Sequence, residues 1–276
     1  MTILRKLPAT AAIAGTCAVL LGSAASAGTT LPDIGIFEGV AGIGTANGDV
    51  GPSPIGNKYV YVTTEGSTYQ GPGGVGGLGL GGETNGSELT TISVVAKAGD
   101  LLDYYFNYVT SDGTNSYIEY AYAILNNLDT NVKKLVFTAR TNPNGVAVPG
   151  FGLPPIEPGV TLTPSTVDII DGKTNWAELG GSSGDCFGGI GAGCGQTGWI
   201  NSKYTIQDAG NYSFTFGVFN WGDTALQSGL AIAGLKVGDT PIDPNEPSPV
   251  PLPAAGWLML AGLGGLGALS RKRKAA

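Results

Sequence analysis

The 276-residue chain has no histidine. That removes the commonest general base near neutral pH and the commonest imidazole metal ligand. A Ser-His-Asp relay is therefore excluded. Gly180-Gly181-Ser182-Ser183-Gly184 satisfies the Gly-x-Ser-x-Gly pattern only formally, because the apolar strand and following helix of a nucleophile elbow are missing around it. A loop is the expectation there. Gly172-Lys173-Thr174 resembles the end of a phosphate-binding loop, but Val167 stands where the required upstream glycine would be. Two Gly-x-Gly-x-x-Gly runs, Gly71-Gly73-Gly76 and Gly193-Gly195-Gly198, are expected by chance with 47 glycines, and neither lies in a βαβ unit. Sustained helical periodicity is absent as well.

Cysteine is scarce, with three in the chain. Cys17 lies in an apolar N-terminal run; the preceding Ala14-Gly15-Thr16 places a β-branched hydroxyl residue where a lipobox wants Gly or Ala, so lipid attachment is not expected. Cys186 and Cys194 stand in a Gly-rich stretch of the body. A zinc site would need further ligands that are absent, and a disulfide is the expectation if the body is exported. Closing so short a loop contributes about 2.6 kcal/mol in the chain-entropy model.

Both ends are distinctive. Arg5 and Lys6 precede an apolar run over residues 11–21, followed by Ala25-Ser26-Ala27, the order of a secretory signal with small residues at its cleavage site. The run spans roughly 16 Å, about half of a hydrocarbon core. Cleavage by signal peptidase after Ala27, read from Ala25 and Ala27, is expected. At the other end Val250-Pro251-Leu252-Pro253-Ala254 precedes a second apolar stretch, and Arg271, Lys272, Arg273 and Lys274 follow it. That stretch rises about 24 Å as a helix, a marginal span, and the basic cluster holds its end on the cytoplasmic side.

Removing residues 1–27 and 248–276 leaves a body of residues 28–247 with 8 cations against 21 acids, a net charge of −13. Nucleic acid and anionic lipid are thereby disfavoured as partners.

In its last 27 residues the chain resembles the VPLPA variant of the PEP-CTERM sorting domain, found on exported proteins of Gram-negative bacteria. The resemblance covers the motif Val250-Pro251-Leu252-Pro253-Ala254, the short apolar helix and the basic end, in that order. It implies that an exosortase-like enzyme of the inner membrane recognises and cuts the tail, and that this chain is the substrate and carries none of the chemistry. The stretch 176–237, with the aromatic run Gly210-Asn211-Tyr212-Ser213-Phe214-Thr215-Phe216-Gly217-Val218-Phe219-Asn220-Trp221, is similar to a recurring unit of PEP-CTERM ectodomains. That likeness implies a sandwich-like fold without an assigned reaction.

Within the body, short alternating segments are separated by turn clusters. Leu102, Tyr104, Phe106 and Tyr108 alternate with Asp103, Tyr105 and Asn107, and Ile118, Tyr120, Tyr122 and Ile124 with Glu119, Ala121 and Ala123. Ser111-Asp112-Gly113 lies between them, so an antiparallel hairpin is expected, aromatics on the core and Asp103 and Glu119 outward. Further strands are expected at 59–63, 91–96, 134–139, 199–200, 204–206, 212–220 and 230–237, with the Gly-rich run 71–82 as a surface loop. Residues 149–164 are proline-rich yet hold Phe151, Leu153, Ile156 and Val160, and are read as a crossing between sheets or a hinge. The expectation is one all-β domain, a β-sandwich of jelly-roll type with Greek-key connections, flanked by an N-terminal signal helix and a short C-terminal transmembrane helix.

Three functions follow. The first is a non-enzymatic surface or matrix protein sorted through its tail, associated with exopolysaccharide or biofilm. The second is a carbohydrate-binding module, with Trp176, Trp199 and Trp221 the first residues to test. The third is a glycan-active enzyme using carboxylates alone, for instance Asp103 and Glu119. No cofactor is expected beyond calcium, for which Asp100, Asp103, Asp112 and Asp223 are the candidate ligands.

Overall fold

In the stretch Leu101–Thr110, Leu102, Tyr104, Phe106 and Tyr108 are fully buried. Period-two burial of large side chains makes a strand with one face on a core. In the computed structural model, which describes residues 29–74 and 77–244, this strand is β7. Ala25 and Ala27, the motif at 250–254, the cations at 271–274 and both expected apolar helices lie outside the described residues. Among the described residues no helix is long and apolar enough to cross a membrane.

Chain order gives β1 (Thr29–Leu31), β2 (Gly35–Glu38), β3 (Val40–Thr45), β4 (Lys58–Thr63), β5 (Glu83–Thr91), β6 (Val94–Ala96), β7 (Leu101–Thr110), β8 (Tyr120–Asn127) and β9 (Val132–Arg140). It continues through β10 (Val146–Val148), β11 (Thr161–Thr163), β12 (Val167–Asp168), β13 (Ile170–Asp171), β14 (Gly195–Gln196), β15 (Ile200–Thr205), β16 (Gly210–Trp221), β17 (Ser228–Val237) and β18 (Thr240–Pro241). One sheet runs β1-β2-β5-β16-β8-β9, with β6 continuing beside β16. The second runs β11-β15-β7-β17-β4-β3, with β14 beside β7, β13 beside β14 and β18 beside β17. β10 and β12 form a separate ribbon. The two sheets pack face to face as an all-β sandwich around a shared core, where Phe106 of one lies 3.7 Å from Phe137 of the other between ring centroids.

The expected hairpin of β7 and β8 does not form. β7 pairs with β14, β15 and β17, and β8 with β9 and β16 in the opposite sheet. Residues 111–119 instead carry the chain across the sandwich. The faces of β8 are also reversed from expectation: Ala121, Ala123 and Leu125 join the core between the sheets, whereas Tyr120 and Tyr122 lie on the outer face with Phe219. The reason is steric complementarity. Phe216 and Phe137 on the flanking strands β16 and β9 already meet Tyr104 and Phe106 across the core, and the small Ala123 of β8, paired with both, fits between them and keeps interior packing dense.

Tyr120 and Tyr122 are nonetheless fully buried, because Tyr69, Leu78 and Leu80 of the Gly-rich segment fold down over that outer face. Tyr69 donates to Glu88 at 2.7 Å, and Tyr122 donates to the same carboxylate. Tyr120 donates to Glu83 at 2.8 Å, and Glu83 also accepts the backbone N–H groups of Leu80 and Gly81 at 2.7 Å each and of Gly82 at 3.0 Å. Burial alone would raise the Glu83 carboxyl, but these donors outweigh it and hold the group below the usual range. Gly217 in the middle of β16 is needed by the same layer: a Cβ there would lie 2.4 Å from the Tyr122 ring.

The proline-rich residues between β10 and β11 serve as a crossing from one sheet edge to the other. Ile156 and Val160 pack against the core, and Glu157 pairs with Lys134 at 2.5 Å.

Candidate functional site

Polar side chains are gathered at one end of the sandwich. There β4, β7, β9 and β16 end and β8 and β17 begin, so the connecting segments converge, the usual place for function on a sandwich scaffold. Thr64, Thr110, Ser111, Asp112, Glu119, Thr141, Asn220 and Ser228 are all buried. A buried polar group must be hydrogen-bonded to avoid a cost of about 1–3 kcal/mol, and these largely satisfy one another. Ser228 and Thr110 hydroxyls lie 2.8 Å apart, Thr64 donates to Gln227 at 2.6 Å, and Asn220 donates to Asn85 at 3.1 Å. Tyr108 donates to the backbone carbonyl of Glu119 at 3.0 Å.

Two carboxyl groups sit inside this network. Glu119 is fully buried, accepting from Thr141 and from the backbone N–H of Trp221, each at 3.4 Å. Asp112 is buried beside it and accepts the N–H of Gly113 at 2.8 Å. Burial, with Asp223 nearby, pushes Asp112 up to about 7, and burial next to Asp112 raises Glu119 well above the usual carboxylate range. Neither charge is favoured without a cation, so the pair is held protonated in the fold at low pH. Arg140 lies close by, but its guanidinium stacks on Trp221, 4.6 Å from the ring centroid, and donates to the carbonyls of Ile118 and Phe151 at 2.9 and 3.4 Å.

A cavity of about 90 Å³ opens outward from here, lined by Asp112, Tyr117, Phe187, Asp223, Ala225 and Leu226. Its Phe187 wall belongs to the loop closed by the disulfide Cys186–Cys194, which forms as expected. That loop is tied to the body through the N–H of Phe187 on Ser111 O at 3.0 Å and the edge-to-face pair Tyr117–Phe187 at 5.4 Å.

The four candidate calcium ligands do not converge. Asp112 and Asp223 meet at the cavity, whereas Asp100 caps the turn before β7 by accepting Lys97 N at 2.8 Å. Asp103 faces outward from the middle of the second sheet, 3.8 Å from Lys203 and 3.9 Å from Lys236. Among the described residues, no three or more His, Cys, Asp or Glu side chains are grouped to hold a metal ion. Nor do Asp103 and Glu119 form a catalytic pair, since Glu119 is inside the protein rather than on an outward face.

The tryptophans are structural to different degrees. Trp176 is buried on the outer face of the second sheet, its indole N–H donating to the Tyr59 hydroxyl at 2.9 Å, and belongs to a satellite core with Val109, Ala231 and Ala233. Trp199 packs at 5.9 Å from Tyr59 and donates to Gly51 O at 3.2 Å. Trp221 is half-buried under Arg140. The formal Gly-x-Ser-x-Gly run begins at Gly180, where a left-handed φ of 56° breaks the stretch Ala177–Ser182 into two short 3-10 turns, and Ser183 Oγ accepts Trp176 N at 3.0 Å, a role in the turn. The buried pair Asp112–Glu119 and the tyrosine–glutamate layer escaped the sequence reading; the isolated Glu119 among small and aromatic residues is the only signal either left.

Comparison of the chain with family models, with curated proteins and with solved structures gives no match.

Proposed function

We propose that this chain is an exported surface or matrix protein of a Gram-negative bacterium, without catalytic activity, whose C-terminal tail is an address read and cut by an exosortase-like enzyme. The observation that carries this reading is the order of the tail: Val250-Pro251-Leu252-Pro253-Ala254, a short apolar run, then Arg271 to Lys274. Signal peptidase and the inner membrane are its partners during export, and exopolysaccharide its surroundings afterwards.

The body supports this role in three ways. Its one disulfide, Cys186–Cys194, suits an oxidising compartment. The orders β4-β17-β7-β15 and β5-β16-β8-β9, with successive strands passing between sheets, support a jelly-roll reading of the sandwich. Among the described residues the raised carboxyl pair has the electrostatics of an acid catalyst, but its Asp112 opens on a cavity of about 90 Å³, too small for a sugar ring together with an attacking water.

The address is testable apart from the body. Residues 248–276 fused behind an unrelated exported reporter are expected to be cut from it in cells that hold the sorting enzyme and to remain attached in cells that lack it. A reporter that keeps the whole tail in both strains would contradict the reading.

A further inference from the structure

On the outer face of the second sheet, away from the carboxyl pair, a groove of about 200 Å³ is lined by Ile55, Asp103, Tyr105, Gly234, Lys236 and Asp243 among others. Its origin is a defect in a central strand. Ala233 of β17 faces Tyr105 of β7 and Lys236 faces Asp103, so Gly234 and Leu235 stand opposite Tyr104 alone. Such a bulge breaks the ladder and re-aims side chains, and bulges recur beside binding sites. Gly234 adopts a left-handed φ of 64°. A Cβ on it would lie 2.8 Å from Ile55 and 3.6 Å from the Tyr105 ring, so the missing side chain is the space between those two walls.

The polar side of the groove is ordered and charge-balanced. Lys203 and Lys236 flank Asp103 directly from the two neighbouring strands, at 3.8 and 3.9 Å, and Asn201 donates to it at 2.7 Å. Asp243 accepts the N–H of Gly234. Two carboxylates against two ammonium groups leave little net field, which disfavours a strongly charged ligand and favours one with many hydroxyl donors and acceptors. One half-buried tyrosine ring offers a flat apolar face beside these groups.

We infer that this groove binds one pyranose unit of a neutral polysaccharide, its C–H face against the Tyr105 ring and its hydroxyls on Asp103 and Lys236. The site is distinct from the tryptophans suggested by sequence, and it stands independently of the sorting tail.

The test is calorimetric titration of the full-length chain in mild detergent with neutral tetrasaccharides of β-1,4-glucan, α-1,4-glucan, β-1,3-glucan and β-1,4-mannan, and with an alginate tetrasaccharide. At least one neutral probe is expected to bind more tightly than about 1 mM. Tyr105→Ala and Lys236→Ala are each expected to weaken it about ten-fold, a loss of roughly 1.4 kcal/mol, with Tyr105→Phe retaining affinity. If Tyr105→Ala does not fold, Lys236→Ala, on the exposed rim, decides. No neutral binding at that level, tighter binding of alginate than of every neutral probe, or unchanged affinity in a folded Tyr105→Ala or in Lys236→Ala would overturn the inference.

Discussion

Replacing Asp112 by Asn and Glu119 by Gln together is expected to stabilise the protein at pH 8 and to leave it almost unchanged at pH 3. Both carboxyls are raised in the folded state, Asp112 to about 7 against 3.8 when unperturbed. Below about pH 3 both groups are protonated in folded and unfolded chains alike, and they contribute no pH dependence. As pH rises above about 3, the unfolded chain releases protons that the folded chain retains, so stability falls until the raised groups titrate in the fold, Asp112 at about 7. The Asp112 rise sets an upper bound of roughly 4 kcal/mol, from which solvent screening of the carboxyl and the amides' poorer hydrogen bonding both subtract. Thermal unfolding of both proteins from pH 3 to pH 8 reads the effect. Parallel pH profiles would contradict it.

Trp176→Ala is expected to destabilise the fold by about 3–5 kcal/mol, the range for truncating a fully buried aromatic. The indole fills the layer outside the second sheet, packed at 6.1 Å edge-on against Tyr61 and bonded to Tyr59. Glycine at 229 makes room for it, since a Cβ there would lie 2.4 Å from the indole ring. Its removal therefore leaves both a cavity and a Tyr59 hydroxyl without that donor. Urea unfolding at constant pH measures the loss. A cost below about 1 kcal/mol would show that Trp176 is not part of the core and would reopen its role as a ligand-binding residue.

How far the sequence could be read follows from these particulars. Strands such as β7 and β16 were visible because large side chains recur at every second position, and the disulfide followed from two cysteines in a body expected to be exported. The partners of those strands were hidden. β7 and β8 each alternate cleanly, and a turn cluster between them fits a tight hairpin as well as a passage between sheets. Which face of β8 met the core was also undecided by pattern, because Tyr120 and Tyr122 on one side and Ala121 and Ala123 on the other are all buried, one pair under a loop rather than under a strand. The same coverage explains the tryptophans: a side chain on an outward face is exposed only if nothing folds over it. Glu119 was placed outward by alternation, yet it sits at the crossing between the sheets, where alternation ends. The glycine at 234 within a strand was a visible sign of a bulge, but the groove it opens depends on Ile55, far away in the chain.

The tail is where sequence speaks most directly, and the account turns on it. Intact-mass measurement of the protein from its own cells, with and without the sorting enzyme, addresses it in one experiment. The account predicts a chain beginning at Gly28, carrying a Cys186–Cys194 disulfide, and shortened at its C-terminal end only where the enzyme is present. A chain ending in Ala276 in both strains would contradict it.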